Sequence, residues 1–227
     1  MHTMSLEEWG IVFGTLILVL FLILRKKMLK PTAIATGLIA AVFVAGRGGI
    51  GSYAAIIVFF LVGEFVTRHI RNKYHRKEHG TRSTSNIVGN IGPAIIALAV
   101  NPTPFNVMFF TSLSAAFADT LSSEIGVLSK DRPLLITTLQ PVFPGTDGGV
   151  SVLGFAAAAL GGIIFGILGY ALTGSFYWGA LLILAGMMGS VLDSVMGAVF
   201  QSRGYLDNNL VNFISSFLVG LFFAVLF

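Results

Sequence analysis

Three short stretches carry residue types suited to phosphate and divalent-cation chemistry. Residues 118–126 read ADTLSSEIG and close an apolar run, PFNVMFFTSLSAAF. An ionised carboxylate in hydrocarbon costs roughly 2.5 to 3.5 kcal/mol on insertion scales, so Asp119 and Glu124 either reach water or are kept for a task. At about 100° per residue, Ser123 lies about 40° from Asp119 and Glu124 about 140° away. The two carboxylates share no face of a regular helix. Asp119 is the better metal-ligand candidate, and Glu124 joins it only where the helix breaks near 122–126; otherwise it meets another neighbour.

In the second stretch, Gly186, Gly189, Ser190, Asp193 and Gly197 recur at spacings of three and four. They form a narrow small-residue stripe around one carboxylate. Helix packing explains the glycines, because small residues let backbones approach, but it leaves Asp193 unexplained. Two carboxylates at water-accessible helix ends suit Mg²⁺, which keeps several waters and needs one or two carboxylates plus substrate phosphates. The third stretch, FPGTDGGVS (143–151), supplies Gly145, Gly148 and Gly149, which permit backbone shapes that turn N–H groups onto an anion. Val150 and Ser151 then open a helix whose N-terminus favours phosphate. The lysine of a Walker A loop is missing.

Asn86 and Asn90, and Asn209 and Asn212 with Asn208 beside them, add donors and acceptors about one helical turn apart. Each is either interhelical glue or a substrate contact. In the basic stretch RHIRNKYHRKEHGTR, topology and lipid anchoring explain most charges; Arg82, nearest the next helix, is the phosphate candidate. His69, His75 and His79 lack metal spacing with acidic partners and read as solvated.

The elements that must position these residues are membrane helices. Eight segments approach the about 20 apolar residues a span requires: about 7–24, 31–46, 50–68, 86–101, 104–126, 150–173, 176–200 and 209–227. The first is followed, not preceded, by its charges and is read as a retained helix, not a signal peptide. With the N-terminus outside, 13 of the 14 lysines and arginines fall in cytoplasmic connections, only Arg47 lying outside. That orientation puts nearly every intramembrane polar group at the cytoplasmic face, as one-sided terraces.

The whole chain agrees with this reading. Its 227 residues are 55% hydrophobic and 11% charged, with a mean hydropathy of +0.87, against about 25% charged in soluble domains. Such a chain cannot cover a globule with polar surface. The net charge of +4 belongs to the loops and implies lipid bilayer, not nucleic acid. Without cysteine, thiolate chemistry and disulfides are excluded. The expected fold is all-α: a single polytopic domain over 1–227 with about eight transmembrane helices and its site at the cytoplasmic face, in the cell membrane if the source is prokaryotic. The glycine faces leave homodimerisation open.

ADTLSSEIG, GTDGGVS, GSVLDSVMGAVFQ (189–201) and DNNLVNFIS (207–215), in that order, resemble the family containing plant and cyanobacterial phytyl-phosphate kinase and animal transmembrane protein 19. The resemblance covers about 80–220. The family is similar, more distantly, to membrane CTP-dependent polyprenol kinases and cytidylyltransferases. It implies transfer of a nucleotide γ-phosphate, from CTP by that kinship, onto an isoprenoid monophosphate to give the diphosphate. It places Asp119, Ser123 and Glu124 in an acidic motif with catalytic and metal roles. Thr146, Asp147, Gly148 and Gly149 fall in a phosphate-binding loop, and Asp193, Ser194 and Gln201 in a third motif. Asp147 departs from the asparagine expected in many relatives and adds negative charge beside phosphates.

A membrane prenyl-phosphate kinase is therefore the leading expectation. Asp119 and Asp193 would hold Mg²⁺, the loop with Ser151 would cradle phosphates, and the asparagines would orient the acceptor. A transporter or lipid translocator is the alternative. That class favours inverted repeats with polar groups near the midplane, whereas here they crowd one side.

Overall fold

The structure is a computed structural model and describes residues 4–74 and 83–227. Among the described residues the chain forms α1 (Leu6–Lys26), α2 (Pro31–Tyr74), α3 (Thr84–Val100), α4 (Val107–Gly126), α5 (Val152–Thr173), α6 (Phe176–Met196) and α7 (Asn208–Leu226). A π-helical turn, Gly197–Gln201, extends α6, and two-residue strands β1 (Leu134–Leu135) and β2 (Gly149–Val150) pair antiparallel between α4 and α5. Five helices are long and apolar enough to cross a membrane by length and composition, and α3 is a shorter apolar helix.

Although α2 runs for 44 residues, it is two helices joined at Gly49, where φ is 73° and ψ −174°. Glycine alone visits that region at little cost. Leu38 and Phe59 line the same groove, yet a straight helix would separate them by about 31 Å at 1.5 Å per residue. The chain therefore doubles back at Gly49, in agreement with the two segments expected over 31–46 and 50–68. Arg47, at this bend, donates to the carbonyls of Leu98 and Ala99 at 3.3 and 3.0 Å, capping the exposed end of α3.

Local signals set the ends of several helices. Ser5 and Glu8 form a reciprocal capping box at α1, with Glu7 and Glu8 in the first turn and Arg25 and Lys26 in the last, as the helix dipole favours. Ser83 and Asn86 do the same for α3, Asn106 caps α4, and Asp207 caps α7. The sixth segment, expected from 150, begins at Val152 because Gly149 and Val150 are held in the strand pair.

At the centre lies α4, whose residues from Phe109 to Asp119 are all buried. It carries two acids and six hydroxyl residues, of which neighbouring helices bury Asp119, Thr111, Ser112 and Ser114. Ser114 Oγ, for example, donates to the Leu182 carbonyl of α6 at 2.7 Å. Glycines bring α4, α5 and α6 into backbone contact. A Cβ added to Gly161 would lie 2.8 Å from Ala118 Cα, and one on Gly186 2.9 Å from Gly162 Cα. These small faces meet other helices of the same chain, as small-residue membrane packing requires.

Candidate functional site

A cavity of about 870 Å³ opens at one end of the bundle, a size typical of the about 300–1,000 Å³ of ligand sites. Its wall takes Lys30 from the α1–α2 connection, Thr67 and Ile70 near the end of α2, the start of α3, the end of α4, the 127–151 loop, the start of α5, the end of α6 and the start of α7. The polar helix ends picked out by the sequence therefore share one chamber.

Asp119 and Asp193 face that cavity from α4 and α6, and the packing explains why. A Cβ on Gly189 would lie 2.5 Å from Ala115 Cα, so the two helices touch at this level. Both helices end at the cavity and thus run in the same direction, and one turn farther along, four residues on, come Asp119 and Asp193. Asp119 is 8% exposed. Ser215 Oγ donates to Asp193 Oδ2 at 2.9 Å. The Asn212 amide, oriented as its neighbours require, donates to the same oxygen at 3.1 Å and to the Asn208 carbonyl at 3.0 Å. Asp193 is thus fixed by α7, as a ligand carboxylate needs to be.

Glu124 turns away from the aspartates. The helix stays regular through Gly126, so the 140° offset holds, and Thr67 Oγ1 of α2 donates to Glu124 Oε1 at 2.9 Å. Glu124 still lines the cavity, but from another wall. Among the described residues no group of three or more acids and histidines assembles as a metal cluster. Asp119 and Asp193 are the pair that the α4–α6 contact brings together, and Mg²⁺ with phosphate oxygens and water completing its shell fits two carboxylates.

The glycine loop docks onto the π-helical turn. Gln201 Nε2 donates to Asp147 Oδ1 at 2.7 Å, and Gly148, at φ 76°, sits so close that a Cβ would lie 2.6 Å from Ala198 N. The Gly148 carbonyl accepts from Ile136 N at 3.0 Å and the Thr146 carbonyl from Gly149 N at 2.9 Å. π-Turns of this kind recur at functional sites. Burial pushes the Asp147 carboxyl above the usual carboxylate range. Ser151 is the N-cap of α5: its Oγ accepts from Gly154 N and donates to the Gly126 carbonyl, both at 3.1 Å. Its hydroxyl thus joins the end of α4 to the start of α5. Ser123 Oγ likewise returns to the Asp119 carbonyl at 3.0 Å. Ser194, Thr146 and Gly149 line the cavity.

The asparagines divide. Asn86 Oδ1 accepts from Ser83 N at 2.9 Å and its Nδ2 donates to Asn209 Oδ1 at 2.8 Å. Asn209 therefore faces α3 and is absent from the cavity wall, while Asn86, Asn90, Asn208 and Asn212 line it. Asn90 Nδ2 donates to the Asn86 carbonyl at 2.7 Å. Arg82, with His75 and His79, lies outside the described residues.

The family model for integral membrane protein DUF92 matches residues 14–220. The chain belongs to the DUF92 family. It is 33% identical over 171 residues to an uncharacterised membrane protein of Methanocaldococcus jannaschii, covering 73% of this chain and 72% of that one. To an uncharacterised membrane protein of Synechocystis it is 32% identical, covering 92% and 86%. To Protein VTE6, chloroplastic, of Arabidopsis thaliana it is 26% identical, covering 86% of this chain and 66% of the relative. No solved structure matches the chain. The DUF92 assignment agrees with the family resemblance carried by the four motifs.

Sequence reading passed over several residues that this DUF92 chain brings to the site. Lys30, counted only for topology, lines the cavity, as does Thr67, and Ser215 reaches it through Asp193. Hydroxyls at helix spacing gave no signal distinct from ordinary packing. Glu64, 4% exposed, pairs with Arg68 one turn on at 2.5 Å; that i,i+4 spacing was readable.

Proposed function

We propose that this protein is a membrane prenyl-phosphate kinase that transfers the γ-phosphate of a nucleoside triphosphate, CTP in the first instance, to an isoprenoid monophosphate. The observation that carries the reading is the meeting of Asp119, Asp193 and the docked 145–149 loop on one cavity. The four-motif resemblance and the similarity to Protein VTE6, chloroplastic, support it.

In this reaction an oxygen of the acceptor phosphate attacks the γ-phosphorus. The bond from that phosphorus to the β,γ-bridging oxygen breaks, and the nucleoside diphosphate leaves. Such transfer needs in-line placement and charge neutralisation more than covalent help from the protein. Asp119 and Asp193 would hold Mg²⁺, which when bound offsets negative charge on the phosphate oxygens. Ser215 and Asn212 keep Asp193 aimed. The loop backbone at 145–149 receives phosphate oxygens, Lys30 supplies a cation at the rim, and Asn86 and Asn90 orient the acceptor. The charge bias of the connections supports an orientation with this end of the bundle in the cytoplasm and the N-terminus outside.

The test is a nucleotide panel, with and without Mg²⁺, offered to the full chain in nanodiscs with farnesyl or geranylgeranyl monophosphate and read by product mass. A new prenyl diphosphate, dependent on nucleotide and metal, is the expected result. Transfer to the free alcohol alone would change the acceptor class. Lipid movement in proteoliposomes without nucleotide, and no transfer from any triphosphate, would overturn the reading in favour of a translocator.

A further inference from the structure

A second, narrower cavity of about 90 Å³ lies among α1, both halves of α2 and α3. That is several times the about 10–15 Å³ needed by one water. Its wall is apolar, with Leu16 and Ile23 of α1, Leu38 and Phe59 of α2 and Ile87 of α3 among its members. Only two of its sixteen lining residues are polar. They are Asn86 and Asn90, and both also line the large polar cavity. An apolar groove and a polar chamber thus share one asparagine wall.

We propose that this groove seats the head-proximal part of the acceptor's isoprenoid chain, with the phosphate at the Asn86–Asn90 wall; the assignment rests on the prenyl-phosphate kinase reading. An amphipathic lipid is the one ligand chemistry that matches both sides of that wall. In a bilayer the chain gains little by leaving lipid for an equally apolar groove, so shape and position matter instead. The groove fixes where the phosphate stands relative to Asp119 and Asp193, which is the positional advantage that in-line transfer requires. Leu16 to Ile23 spans about 10 Å along α1, so the groove reads the first part of the chain and leaves its far end in lipid. Acceptors of different total length therefore bind alike, while bulk near the phosphate is discriminated.

Gly37 allows a direct test, because a Cβ there meets only Ile87 Cδ1, at 3.8 Å. Gly37→Leu adds bulk at the groove wall, and its Cβ strikes no backbone. The expected result is a rise of about tenfold or more in KM for geranylgeranyl monophosphate, with KM for nucleotide unchanged. Independently of turnover, geranyl monophosphate carrying a diazirine on its second isoprene unit is photolysed with the full chain in nanodiscs, and the labelled peptides are mapped. Labels within 16–41, 56–60 or 86–91 that Gly37→Leu abolishes support the groove. Labelling there without phosphoryl transfer from any nucleotide would leave the groove standing and remove the kinase reading. Transfer with labels elsewhere, or with KM unmoved in Gly37→Leu, would overturn the groove and leave the kinase. Neither labelling nor transfer would overturn both.

Discussion

Gly189 lies against Ala115 so tightly that a Cβ on the glycine would stand 2.5 Å from Ala115 Cα, and one turn beyond each residue comes an aspartate. The separation of Asp119 and Asp193 is set by this contact between α4 and α6. Gly189→Ala drives the helices apart, with an overpacking cost of about 1–3 kcal/mol. Activity is expected to fall, and the Mg²⁺ concentration for half-maximal rate to rise. Gly14→Ala, where a Cβ meets nothing within 4 Å, serves as the neutral control. Thermal melts and Mg²⁺ titrations of both variants check the prediction.

The aspartates are expected to be the costliest single losses. Asp119→Asn and Asp193→Asn each lower kcat by at least roughly 100-fold, about 2.7 kcal/mol in the barrier. Ser215→Ala, which removes only the hydroxyl that orients Asp193, lowers it by less, roughly 10-fold and at the low end of the range for such partners. Steady-state kinetics on well-folded preparations decide this. Full activity in both asparagine variants would remove the metal assignment.

Gly148 fixes the loop. Its φ of 76° and its closeness to Ala198 N mean that Gly148→Ala incurs both backbone strain, of about 1–3 kcal/mol, and a steric clash. The expected outcome is an undocked loop, seen as faster proteolytic cleavage within 136–149 and a raised KM for nucleotide. Cleavage and KM that match the wild type would show that the loop needs no docking.

Asp147 gives a pH signature. Burial raises its carboxyl above the ordinary value, so the folded chain binds this proton more tightly than the unfolded one. The stabilisation is complete below the unfolded value of about 3.9 and is lost as pH rises through the folded value. Asp147→Asn keeps an acceptor for Gln201 and deletes the titration. The drop in melting temperature from about pH 4 to about pH 7 should therefore be smaller in the variant than in the wild type. An unchanged drop would place the carboxyl in ordinary solvent.

Asn86 and Asn209 bond each other across α3 and α7. A double-mutant cycle with alanine should show coupling of about 0.6 kcal/mol, with an upper range near 1.7 kcal/mol for membrane helices. Asn209→Ala should change stability without changing the acceptor KM. A KM effect as large as that of Asn90→Ala would return Asn209 to the substrate.

Much of the fold was legible in the chain. Hydropathy marked eight segments, and the helices begin and end within a few residues of them, since apolar length and capping side chains are local properties. At the site, the 140° offset already separated Glu124 from Asp119, and the structure supplies Thr67 as its partner. The Gly186 and Gly189 stripe was readable as a close-packing face. Its partner helix was not, because a small residue permits approach without specifying what approaches. Asn209 had two roles open in the sequence for a related reason: one-turn spacing places two side chains on one face, and packing turned Asn209 toward α3 and Asn212 toward the cavity.

The sequence by itself determined the membrane helices, the gathering of basic residues in their connections, the glycine bend and loop, and the two aspartates at helix ends. Each follows from composition or from the fixed period of a helix. Only the tertiary structure decided that Asp119 and Asp193 share a cavity, that the glycine loop is clipped to the π-turn through Gln201, and that Asn86 and Asn90 stand between a polar chamber and an apolar groove. These pairings join residues many tens of positions apart. Helix period cannot select such partners; shape and polar satisfaction do so once the helices pack.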